Sequence, residues 1–209
     1  KYPKALADPD FSIRKSLRSK NDNQYRELSF SYKGQSYQFS IPVNRNTITF
    51  FSTYPQMEIG EYFNTQLDDA TADALLTQLN PVVNVMSENE AVNFLLAFVQ
   101  NAFDYKTDKD QFGEENYMFI EETIFYPSSD CEDRSIIFSW LVRRLLELEV
   151  VGLEFPGHVA TAVILKQPLG EVVRYNNKNY TIADPTYINA QAGMKMPQYN
   201  NISPKVIGH

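Results

Sequence analysis

Reactive side chains are scarce in this chain: 209 residues include one cysteine, one tryptophan and two histidines. A single cysteine excludes an internal disulfide, so neither a reducing nor an oxidising compartment is ruled out. Positive charge is also short. Nineteen Lys plus Arg face 26 Asp plus Glu, for a net charge of −7, and no basic run exceeds Arg143–Arg144. Nucleic acid and anionic membrane surfaces are therefore not expected partners. No apolar run is long enough to span a membrane, and the opening KYPKALADPD does not read as a signal peptide. The chain starts at a lysine and stops at IGH209, which reads as cut from a longer polypeptide; if an export signal has been removed, a periplasmic or exported location is expected. Apolar and aromatic residues are plentiful, at 43% and 13%, enough for one sizeable core or a core with a smaller appended module.

Residues 1–22 read as an irregular or short helical lead-in. From Tyr25 to Ile41, apolar residues alternate around Lys33-Gly34-Gln35, the pattern of a β-hairpin closed by Pro42. NTITFFSTY (46–54) is β-branched and aromatic, so a third strand is expected, making 24–56 a small antiparallel sheet. Helices are expected over 68–79, stopping at Asn80-Pro81, and from Ser87 to about Tyr105. TDKDQFG (107–113) lacks the glycine and distal glutamate spacing of a calcium loop and reads as a solvated turn. Residues 114–125 fit a helical turn or an extended arm, and Glu121 and Glu122 read as surface charge.

The stretch YPSSDCEDRSIIFSWLVRRLLEL (126–148) holds the cysteine. Pro127, Ser128 and Ser129 break what precedes, Asp130 is an N-cap, and Asp133 can reach back to it, so a helix is expected from about Cys131. Apolar residues then cover well over half the circumference, which marks a central helix whose polar positions, Arg134, Arg143, Arg144 and Glu147, form a narrow strip to solvent. A thiol in the first helical turn feels the positive end of the helix dipole; Asp130, Glu132 and Asp133 oppose that effect. Taken alone, Cys131 is either a small buried hydrophobe or a nucleophile that needs a base.

The candidate base is His158, since the other histidine is His209 at the terminus. His158 opens an apolar run, HVATAVIL, after Pro156-Gly157, and 171–175 with 179–183 read as a hairpin ending at Asp184-Pro185. If the strands of His158 and Asp184 run antiparallel, the start of one lies beside the end of the other and imidazole meets carboxylate. Zinc at Cys131 and His158 would be short of ligands, so no metal and no cofactor are expected.

SDCEDRS (129–135), PGHVATAV (156–163) and IADPTY (182–187), in that order after the helical 91–105 segment, resemble the transglutaminase-like superfamily, whose core is a variation on the papain-type cysteine peptidase. The likeness covers roughly residues 88–190. It implies an α+β fold with a central cysteine-bearing helix packed on an antiparallel sheet (67–209); the N-terminal antiparallel β module read from the residues (1–66) lies outside the shared core. It also implies Cys131 as nucleophile, His158 as base and then acid, and Asp184 as the orienting acid. The oxyanion would be held by the Cys131 backbone N–H and an upstream donor, for which Gln100 and Gln111 are candidates. The expected activity is acyl transfer from a peptide or protein substrate through a thioester, resolved by water or an amine. The alternative is an inactive module of the same fold that binds a peptide or glycan.

Overall fold

The computed structural model describes residues 13, 15 and 20–208; the expected lead-in falls mostly outside them. In chain order the elements are β1 (Asn23–Tyr32), β2 (Gln35–Asn44), α1 (Arg45–Phe51), α2 (Ile59–Tyr62), α3 (Asp69–Val83) and α4 (Glu88–Asn101). Next come β3 (Asp104–Tyr105), α5 (Asp108–Gln111), α6 (Ile120–Phe125), β4 (Ser128–Ser129) and α7 (Cys131–Leu146). The chain closes with β5 (Val150–Phe155), β6 (His158–Val163), β7 (Val172–Tyr175), β8 (Lys178–Ala183), a 3-10 turn (Pro197–Tyr199) and β9 (Lys205–Ile207). The fold is α+β: α7 packs on a five-stranded antiparallel sheet of order β7-β8-β6-β5-β9. Among the described residues no helix is long and apolar enough to cross a membrane.

The β1–β2 hairpin turns at Lys33 and Gly34, both at positive φ, and its alternation puts Leu28, Phe30, Phe39, Ile41 and Val43 on one buried face. That face meets α4, where Phe30 contacts Phe94 and Phe98 with ring centroids 5.2 and 5.4 Å apart. The hairpin, α4 and the inner face of α7 thus share one continuous apolar core.

The expected third strand is a helix instead. Asn44 accepts the N–H of Asn46 as a cap, and α1 sets Thr47, Ile48 and Phe51 on one buried face, with Phe51 stacked on Phe119 at 3.9 Å. Helical spacing brings Ile48 and Phe51 to one buried face and leaves Phe50 exposed, where a strand would have put Ile48 and Phe51 on opposite faces, so packing overrides β-propensity. The expected stop at Pro81 is also overridden, because α3 runs on to Val83. Near the end of a helix a missing N–H costs a single bond, and burial of Leu79 and Val83 offsets it. Residues 114–125 resolve into a stretch without regular secondary structure followed by α6.

Two strands of the five-stranded sheet escaped the sequence pattern, as did the two-residue β3 and β4. β5 runs through Gly152, which in the sequence reads as punctuation and where the Phe63 ring lies 2.8 Å from the position a Cβ would take. β9 is three residues long and pairs with β5 at Gly152, Leu153 and Glu154. The sheet has apolar contacts on both sides. Val150, Val159 and Val163 join the main core with α7, while Val151, Leu153, Phe155, Ala160, Ala162, Tyr180 and Ile182 form a second cluster covered by Tyr199, Ile202 and Val206 of the C-terminal strap.

Candidate functional site

The start of α7 and the start of β6 come together through backbone and side-chain contacts. Asp133 Oδ2 accepts the Asp130 N–H at 3.3 Å, the capping contact anticipated from the sequence, which places Cys131 in the first turn. Ser135, one turn on, donates to the carbonyl of Val159 at 3.1 Å, and the Val159 N–H interacts with the Cys131 thiol. The sulfur therefore lies against the residue that follows His158.

β6 and β8 pair antiparallel with Thr161 opposite Ala183, and the Thr161 hydroxyl bonds the Ala183 carbonyl. This register carries His158, three residues before Thr161, alongside Asp184. His158 Nε2 and Asp184 Oδ2 are 2.8 Å apart, and both residues are buried. Since a carboxylate only accepts, Nε2 carries the proton and Nδ1 is left as the basic nitrogen. Asp184 is itself held: Oδ1 accepts the N–H groups of Thr186 at 2.9 Å and Tyr187 at 3.1 Å.

The thiol has a different hydrogen-bond partner. Cys131 Sγ donates to Glu132 Oε2 at 3.0 Å. Burial pushes the thiol strongly up, and the charge of Glu132 adds to the effect. Glu132 titrates at about 7, raised by burial and by the charge of Asp130. Burial first, and the acidic neighbours anticipated from the sequence second, favour the neutral thiol.

Gln100 is buried, and its amide nitrogen donates to the carbonyls of Asp184 at 3.0 Å and Ala190 at 3.1 Å, tying the 184–190 segment to α4. Gln111 is the last residue of α5 and half-buried. The Gln100 amide nitrogen is thus committed to the Asp184 and Ala190 carbonyls.

The polar strip expected on α7 is corrected at Arg134, which is 1% exposed and donates to the carbonyl of Phe103 at 2.8 Å and to Ser129 Oγ at 3.2 Å. Its stem and fork satisfy the chain ends around β3 and β4, so an arginine serves as an internal staple there. Glu121 and Glu122 are likewise buried rather than surface charge, and burial raises them to about 8 and about 7. The solvated turn at 107–113 is corrected at Asp108, a buried residue whose Oδ2 accepts the Asn116 N–H at 2.8 Å.

Asp108, Asp130 and Asp133 each place a carboxylate oxygen within 4.8 Å of the others. Asp130 Oδ1 is buried without a hydrogen-bond partner. Hard oxygen donors at this spacing are what a divalent cation of the calcium or magnesium kind takes, and without one they are relieved by holding protons. Burial raises Asp108 to about 7, and burial with the Asp130 charge raises Asp133 well above the usual range.

Sequence reasoning missed Tyr199, whose ring lies parallel to that of His158, 5.4 Å away at 5°. Nothing in a loop rich in Asn and Gln signals such a contact. No family model matches the chain, and no curated protein matches it.

Proposed function

We propose that the protein is a cysteine-dependent acyl-transfer enzyme of the peptidase or amidase type, with a transglutaminase-like arrangement of Cys131, His158 and Asp184. The observation that carries this is the buried His158–Asp184 pair at the mouth of β6, beside the helix start that bears the thiol. A histidine fixed through Nε2 by a carboxylate presents Nδ1 as a base, the pairing that nucleophilic catalysis requires. The motif order within residues 88–190 supports the same reading.

In this mechanism the Cys131 proton passes to His158 Nδ1 and the sulfur attacks an amide carbonyl. The first backbone N–H groups of α7 face the developing oxyanion. The imidazolium returns its proton to the leaving amine as the C–N bond breaks, leaving a thioester. Water, deprotonated by the same nitrogen, hydrolyses the thioester; an amine in place of water gives transamidation. Before attack, the thiol must exchange its bond to Glu132 for one to the imidazole.

The test is alkylation by iodoacetamide near neutral pH together with hydrolysis of a panel of peptide amides. Enhanced labelling of Cys131 that falls in His158→Ala, and hydrolysis lost in Cys131→Ala, are expected. An inert thiol and unchanged hydrolysis in Cys131→Ala would sink the proposal. The Cys131–Glu132 bond favours a second reading, a catalytically silent module that uses the same cleft to hold a peptide or glycan. Saturable peptide binding that survives Cys131→Ala, with no turnover, would select it.

A further inference from the structure

The geometry points to Tyr199 as the positioning residue of His158, acting from a C-terminal strap that clamps the imidazole plane in register with Asp184. The inference deepens the reading above and depends on it for its catalytic meaning, though the clamp itself is a matter of geometry.

His158 opens β6 directly after the Pro156-Gly157 turn, so only one side of its backbone is held by the strand. The hydrogen bond to Asp184 fixes one ring atom but leaves the ring free to swing about the line joining the two residues. Two aromatic rings remove that freedom. Tyr199 lies parallel to the imidazole, and Phe155, which pairs with His158 across the β5–β6 register, sits 6.3 Å from it at 27°. Phe155 and Tyr199 also contact each other, at 4.8 Å, so the three rings form one packed group.

The strap is built to hold Tyr199 there. The 3-10 turn closes with the Asn200 N–H on the Pro197 carbonyl and the Ile202 N–H on the Tyr199 carbonyl, and Lys195 donates to the Asn200 carbonyl. Ile202 and Val206 pack on the second apolar cluster, and β9 pairs with β5. The Tyr199 hydroxyl reaches the Pro156 carbonyl only at 3.4 Å, so the ring face rather than the hydroxyl makes the principal contact. A tyrosine face over imidazole excludes water from the Nε2–H to carboxylate bond, and it attracts the imidazolium that forms during turnover.

The experiment compares Tyr199→Phe, Tyr199→Leu and Tyr199→Ala with the wild type in the intact chain, by long-range nitrogen-15 NMR of the His158 ring and by steady-state kinetics on any amide that the wild type hydrolyses. Tyr199→Leu keeps most of the volume and separates loss of the ring face from loss of packing. Tyr199→Phe is expected to retain the wild-type tautomer, slow Nε2–H exchange and kcat. Tyr199→Leu and Tyr199→Ala are expected to exchange Nε2–H about tenfold faster and to lose roughly tenfold in kcat with KM little changed, the scale of one aromatic pair. Wild-type exchange in Tyr199→Leu would overturn the inference, as would a loss in Tyr199→Phe equal to that in Tyr199→Ala. If Cys131 proves inert while the exchange rates move as expected, the enzymatic reading fails and the clamp stands; a reactive Cys131 with unmoved exchange gives the reverse.

Discussion

Replacing Asp184 with asparagine is an incisive perturbation, because the surroundings leave the new side chain one orientation. Oδ1 accepts two backbone N–H groups, from Thr186 and Tyr187, and that role needs an oxygen. The asparagine carbonyl must stay there, so the amide NH2 faces His158 Nε2. Two donors cannot meet at 2.8 Å, so the ring moves its proton to Nδ1, the nitrogen that the proposed mechanism uses as base. Volume and most contacts survive. A charge-assisted bond becomes a neutral one, which costs about 1 kcal/mol of stability. On the proposed mechanism the chemical cost is far larger, since an inverted tautomer in a histidine-assisted nucleophile lowers turnover by about 10^4-fold. Asp184→Ala leaves one buried and two part-buried donors without this acceptor and costs about 3–5 kcal/mol. The assays are urea denaturation, nitrogen-15 NMR of the His158 ring and hydrolysis of a peptide amide. An Asp184→Asn protein that keeps its proton on Nε2 and its full activity would refute the reasoning.

Glu132→Gln keeps the size of the side chain but removes a charge that adds to burial in holding the thiol neutral, so iodoacetamide labelling of Cys131 near pH 7 accelerates by about tenfold or more; an unchanged rate would show that burial alone sets thiol reactivity. Glu121 titrates at about 8 in the fold against 4.5 for its ordinary value, so its contribution is fully present below pH 4.5 and is lost as pH rises toward 8. The loss is at most about 1.4 kcal/mol per pH unit, and thermal melts of Glu121→Gln across pH 5–8 should show a shallower fall than wild type; parallel curves would contradict this. Gly152→Ala puts a Cβ 2.8 Å from the Phe63 ring and 3.1 Å from Ile207 Cβ, costing about 1–3 kcal/mol in denaturant unfolding, whereas unchanged stability would mean that this ring yields freely.

What the sequence by itself determined is whatever rests on local periodicity and punctuation. The β1–β2 hairpin, the α4 stripe, the start of α7 at its capping pair and the doubly buried β6 all have patterns that neighbouring residues enforce. The meeting of His158 and Asp184 was legible too, because antiparallel pairing places the start of one strand beside the end of the next. Where long-range packing outweighs a local preference, only the tertiary structure decided. The 45–51 segment is helical because Phe51 finds Phe119, and α3 passes through Pro81 because Val83 is buried. Arg134 turns inward because the carbonyl of Phe103 lies there to receive it. The partner of the thiol and the ring over His158 belong to the same class. Whether Cys131 faces Glu132 or an imidazole, and whether a tyrosine 41 positions after His158 returns to cover it, depends on how separate elements dock, and residue spacing carries no record of that.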